Sequence, residues 1–186
     1  MELFGISEGI IVQQVNCCGV MGAGLAKAIL DKYPQVKEGF DDYYKSSLND
    51  GKTKNSCCYS QLGSFQIIPL DKPYKSINEL ASTRDLSYLN DSKLKVANIY
   101  SQAYYGNAQK TGKVYTKLPF LINSIDVIAN FYNENIYVPI GIGCGYGGED
   151  WERVSEEIEN LQHPNVFFLD TRTLEVLKTF EEEKEL

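Results

Sequence analysis

Apolar and polar positions along the chain switch between two periods, and the switches mark out its elements. Residues 10–15, IIVQQV, form a short β-branched run bounded by turn residues, which predicts a largely buried strand leading straight into Asn16. Past a glycine-rich turn, Leu25, Ile29 and Tyr33 recur at helical spacing up to Pro34, and a second helix is expected over residues 35–44. Residues 49–56 are turn-rich, and strands are expected over 57–61 and 65–70.

Residues 71–93 read as a polar excursion, either a lid or an insertion, before LKVANIY at 94–100 returns to strand character. The aromatic, polar stretch at 101–113 that follows is expected to be an exposed loop. Thr116 is placed to cap a helix whose stripe is Leu118, Leu121, Ile122, Ile125 and Ile128 or Ala129, with Pro119 tolerated in the first turn. From Ile136, IYVPIGIG predicts a buried strand ending in glycines, followed by a helix carrying Trp151, Val154, Ile158 and Leu161. A last strand at 166–169 and a terminal helix with Leu174, Leu177 and Phe180 complete the pattern, and the acidic run 181–185 is expected to fray. Strands alternating with helices predict an α/β fold of three layers, α/β/α, around a central mixed sheet. In such sheets ligands bind beyond the carboxyl ends of the strands.

The 186 residues suit one domain over 1–186, with no internal repeat or linker. A hydrophobic share of 43% leaves a core to bury and excludes a disordered chain. The charge balance, 18 − 25 = −7, opposes direct binding to nucleic-acid backbones or anionic membranes. With no apolar stretch near the ~18 residues of a membrane span and no basic leader, a cytoplasmic protein is expected. The five cysteines read as reduced thiols; with no CxxC spacing and only His163, taken as an exposed connector, no metal site is expected.

The candidate chemistry lies in two glycine loops, each between a predicted strand and a helix. The first runs from Asn16 through Cys17, Cys18, Gly19, Val20, Met21, Gly22 and Ala23 to Gly24. The second, 141–148, has five glycines in eight positions. Glycines at a helix N-terminus let the backbone approach a ligand and aim N–H groups at phosphate oxygens, so a chain of net charge −7 can still hold a diphosphate. The plainer alternative, that Gly22 and Gly24 serve a tight turn and close helix packing, stays open for the first loop taken alone. Two such loops at one sheet edge would clamp a nucleotide from both sides. Neither GxxxxGK[ST] nor a well-placed GxGxxG is present, which argues against kinase and dehydrogenase readings, and no cofactor is expected. Cys17, Cys18 and Cys144 lie on these loops with no histidine nearby in sequence, so packing explains them better than catalysis.

VNCCGVMGAGLAKAI, then ANIYSQAYYG, then VPIGIGCGYGGEDWERV, resemble a macrodomain, specifically the bacterial and phage branch of ADP-ribose 1″-phosphate phosphatases; the likeness spans roughly residues 5–162. The resemblance implies ADP-ribose or a related small nucleotide as ligand. Asn16 would address the distal ribose, Gly19 to Gly24 the diphosphate, and Gly141, Ile142, Gly143, Cys144 and Gly145 its other side, with Tyr146 near the distal ribose. It also places Ile10, Gln13, Gln102 and Tyr105 among the ligand-binding residues. Asp150 would be the base that activates water and Asn16 would help stabilise charge, although an aspartate at that position is better explained as favouring the N-terminal turn of a helix.

The sequence departs from that pattern at three points. Gly9 stands where many members carry the adenine-binding aspartate, leaving Glu8 as the substitute. Gln13 replaces a histidine and cannot act as acid or base. Gly147 occupies the aspartate position of the branch that removes ADP-ribose from glutamate or nucleobases. Two functions follow: hydrolysis of ADP-ribose 1″-phosphate to ADP-ribose and phosphate, or non-catalytic sensing or sequestration of ADP-ribose, cyclic relatives or ADP-ribosylated partners.

Overall fold

The computed structural model describes residues 2–48, 59–85 and 87–180. Strand β1 (Gly9–Asn16) is buried over almost its whole length and lies at the centre of the sheet, as its β-branched run predicts for a parallel strand covered on both faces. Helices α1 (Gly24–Lys32) and α2 (Pro34–Ser47) follow, then a 3-10 turn at Tyr59–Gln61 and strand β2 (Phe65–Pro69). Two short helices, α3 (Ile77–Thr83) and α4 (Ser87–Asn90), precede β3 (Leu94–Gln102), all nine residues of which are buried. Next come α5 (Ala108–Thr111), α6 (Leu118–Phe131), β4 (Ile136–Pro139), α7 (Trp151–Glu159), β5 (Val166–Asp170) and β6 (Glu175–Lys178).

The six strands run in the order β2-β3-β1-β4-β5-β6. The inner four, β3, β1, β4 and β5, are mutually parallel, and β2 and β6 join antiparallel at the edges. One face packs Ile10, Val12, Ile99 and Val138 against Leu121, Ile125 and Ile128 of α6 and Val154 and Ile158 of α7. The other packs Ile11, Val96 and Ile68 against Ile29 of α1 and Val36 of α2. This is the expected three-layer arrangement around a mixed sheet. Among the described residues no helix is long and apolar enough to cross a membrane.

Several expectations are corrected. The segment after β5 turns back as a strand instead of a helix: Asp170 accepts from the Arg172 and Thr173 amides, and Leu174 takes a left-handed backbone (φ 62°) that ends the turn. All four residues of β6 are exposed, so the helical spacing of Leu174 and Leu177 marked no buried face. Residues 59–61 form a 3-10 turn, and the rest of the strand expected at 57–61 lies outside the described residues, as does the acidic run 181–185. Residues 71–93 fold into α3, with a Ser76–Glu79 capping box, and α4; Asp71 ties the segment's ends by bonds to the Ser92 hydroxyl and the Lys93 amide. The stretch 101–113, expected to be an exposed loop, begins as strand, since β3 runs through Gln102, and Ser101, Gln102 and Ala103 are buried; further along it Asn107 caps the short helix α5. The N-cap position of α6 is Lys117, one residue after the expected Thr116. His163 is half-buried and not an exposed connector, its Nε2 2.7 Å from Asp126 Oδ1. Cys18 is disulfide-bonded, against the expectation of five reduced thiols, while Cys57 and Cys58 lie outside the described residues.

Candidate functional site

A cleft of about 550 Å³ opens where the four parallel strands end. Asn16 from β1, Gln102 from β3, Pro139 from β4 and Thr171 just past β5 all line it. That is where a parallel sheet leaves room between the loops that diverge to its two faces.

The first glycine loop forms one wall through Val20, Met21, Gly22, Ala23 and Gly24. Asn16 holds it in shape: its Oδ1 accepts from the Cys18 N–H (3.0 Å) and the Val20 N–H (3.3 Å), while its Nδ2 donates to the Val20 carbonyl. The side chain expected to address ribose is therefore already engaged in bracing the loop. Gly19 does not line the cleft; it packs where any Cβ would strike the Tyr44 ring, 2.6 Å away. Ala23 occupies the N-cap of α1 and gives the helix no side-chain cap. The first-turn amides lack intrahelical acceptors, and Gly24, Leu25 and Ala26 border the cleft, so the positive end of α1 points into it.

The second loop supplies the facing wall through Gly141, Ile142, Gly143, Gly145, Tyr146 and Gly147. Among the described residues the N–H groups of Gly143, Gly145 and Tyr146 donate to no protein acceptor, which leaves them for a ligand. Thr116 pins this loop to the sheet: its hydroxyl lies 2.7 Å from the Gly143 carbonyl and 3.1 Å from Gln14 Oε1, and Gln14 in turn donates to Ser101. Spent in this way, Thr116 has no hydroxyl left to cap α6. Tyr105 and Tyr146, about half exposed, stand at the mouth, and Gln102 is buried at the floor.

Three other expected residues do not reach the cleft. Ile10 is fully buried in the core beneath α6 and α7. Cys144 turns into the same core, and burial, reinforced by the Glu149 and Asp150 carboxylates, pushes its thiol up to about 11, so it is protonated at neutral pH. Asp150 caps α7, accepting from the Arg153 N–H at 3.1 Å. Gly9 opens β1 at the far end of the strand from Asn16, with Tyr137 and the Asn135 carbonyl against it.

The cleft also recruits Gln14, Gly106, Asn107, Ile140 and Thr171, which sequence reasoning did not single out, and Gly147, which it placed in the second loop but not among the ligand-binding residues. Thr171 was findable from the rule of strand carboxyl ends; Gly106 and Asn107 were not, because only folding brings their loop beside the second glycine loop. Among the described residues no carboxylate, imidazole, amine or thiol lines the cleft.

Solved structures share this architecture. The macrodomain of Mycobacterium tuberculosis DarG superposes with a TM-score of 0.59 at 19% identity, over 90% of this chain and 91% of that one. The protein has the macrodomain fold. A Streptomyces coelicolor macrodomain protein gives a TM-score of 0.54 at 16% identity, covering 88% and 89% of the two chains. Thermosipho africanus DarTG, solved in complex with ADP-ribose, gives 0.58 at 19% identity, over 90% of this chain and 39% of its own. No family model and no curated protein matches the sequence.

Proposed function

We propose that this protein binds ADP-ribose or a close derivative and grips the diphosphate with main-chain amides. The observation that carries the reading is the convergence of the uncapped N-terminus of α1 and the unpaired amides of the second glycine loop on a single cleft. A cleft of about 550 Å³ suits a ligand of that size. The ADP-ribose complex of a protein with the same fold supports the ligand class.

The lining favours binding without turnover. Hydrolysis of a phosphate monoester calls for a group to activate water, and the carboxylate expected for that task, Asp150, caps α7 instead. The reading is therefore a module that senses or sequesters ADP-ribose, a cyclic relative or an ADP-ribosylated partner. Calorimetric titration with ADP-ribose is expected to release heat, and incubation with ADP-ribose 1″-phosphate to release no phosphate. Phosphate release by the wild type that disappears in Asp150→Ala would restore the hydrolase reading; no heat with any ADP-ribose derivative would end the binding one.

A further inference from the structure

Three side-chain amides cross the sheet in one line. Gln13 on β1, Asn98 on β3 and Gln66 on β2 are direct register partners, and each points to the face covered by α1 and α2. Gln66 Nε2 donates to the Gly39 carbonyl in α2 at 2.9 Å, Asn98 Nδ2 faces Gln66 Oε1 at 3.4 Å, and Gln13 Nε2 donates to Asn98 Oδ1 at 2.6 Å. Asn98 and Gln13 are fully buried.

The far end of this line sets its direction. A main-chain carbonyl can only accept, so Gln66 must turn its NH₂ toward Gly39 and its oxygen toward Asn98. The same logic turns the Asn98 oxygen toward Gln13 and uses the NH₂ of Gln13. Gly39 makes the anchor possible, since a Cβ there would lie 2.6 Å from Ile68 Cδ1 and push α2 away from β2. What remains is Gln13 Oε1, a buried acceptor with no partner, on a residue that lines the cleft. Of the buried side-chain oxygens without a partner among the described residues, it is the one that belongs to a cleft residue; the others are on Gln61 and Tyr100.

We infer that Gln13 selects the ligand: its Oε1, held as an acceptor by the amide relay from Gly39, takes a hydrogen bond from a ligand hydroxyl and disfavours a phosphate at the same point. The inference rests on the binding of an ADP-ribose-type nucleotide. A hydroxyl satisfies the orphan oxygen, whereas a phosphate monoester sets anionic oxygens against it and leaves it unpaired. Gln13 thus separates ligands that otherwise share the diphosphate grip, and it does so with a residue that carries no charge of its own.

The test is a pair of calorimetric titrations, ADP-ribose and ADP-ribose 1″-phosphate, on the wild type and on Gln66→Met, which lies two strands from Gln13 and outside the cleft lining. The wild type should bind ADP-ribose about tenfold or more tightly than the 1″-phosphate. In Gln66→Met the anchor is lost, the Asn98 and Gln13 amides are free to turn over, and the preference should shrink to about twofold. Equal affinities in the wild type, tighter binding of the phosphate, or an unchanged preference in a folded Gln66→Met each overturn the inference while leaving the binding reading intact. Should Gln66→Met not fold, the wild-type Gln13 side-chain NH₂ resonances decide: they should shift on adding ADP-ribose, and their constancy overturns the inference. If neither nucleotide binds, the binding reading fails and the selection falls with it.

Discussion

A methyl group on Gly147 would lie 2.2 Å from the Thr116 hydroxyl oxygen and 2.4 Å from the Gly143 carbonyl. The second glycine loop therefore closes around Thr116 so tightly that no side chain fits between them. The Thr116 hydroxyl bonds and the Thr116 and Tyr115 amides, both donating to the Gly147 carbonyl, hold the loop on the sheet. The loop that carries the unpaired Gly143, Gly145 and Tyr146 amides along the cleft is thus pinned from behind.

Gly147→Ala should accordingly destabilise the fold by about 1–3 kcal/mol through overpacking and weaken ADP-ribose binding about tenfold or more, since the loop must back away. Thr116→Val should weaken binding while Thr116→Ser restores it. Thermal unfolding and calorimetry on the three variants check this; full affinity in Thr116→Val would show that the hydroxyl does not set the loop.

Gly22 differs, because a Cβ there meets nothing within 4 Å. Gly22→Ala carries the backbone strain of a non-glycine residue at φ 158° and serves as the control, whereas Gly22→Glu adds to the same strain a carboxylate in the wall that meets the diphosphate and should bind ADP-ribose about a hundredfold more weakly than Gly22→Ala. Unchanged binding in Gly22→Glu would remove the first loop from the site.

Asp150→Ala should lower stability by about 1 kcal/mol, the usual worth of a helix N-cap, and leave ADP-ribose affinity unaltered. Melting temperature and calorimetry separate the two effects, and a loss of affinity would bring Asp150 into the site.

Burial raises the Cys144 thiol from 9.0 to about 11, so the folded state favours the protonated form. The unfolded chain loses that proton first as pH rises, so this contribution to stability is intact below about pH 9 and fades between about pH 9 and 11. Alkylation of Cys144 by iodoacetamide at pH 8, followed by mass spectrometry, should run about tenfold or more slower than that of an exposed cysteine. Modification at an ordinary rate would mean an exposed, ionised thiol.

The local signals were strong wherever one side chain period and one buried face coincided. The strand at 10–15, the helix stripe from Leu118 to Ile128 and both glycine loops were legible because side-chain period and glycine density show within a few residues of sequence. The stretch after Asp170 was misread, since Leu174 and Leu177 are exposed and their spacing carried no information about a core. Thr116 was misread for a different reason, its hydroxyl being claimed by Gly143 and Gln14, 27 and 102 residues away along the chain.

By itself the sequence determined the alternation of strand and helix, the burial of β1 and β4, and the presence of two backbone segments able to approach an anion, because these follow from side-chain period and from glycine's missing Cβ. Only the tertiary structure decided that both segments face one cleft, that Asp150 and Cys144 turn away from it, and that Gln13, a residue of its lining, carries a buried oxygen without a partner among the described residues. Those outcomes depend on strand order and register, which bring Gln66, Asn98 and Gln13 side by side from three separate stretches of chain.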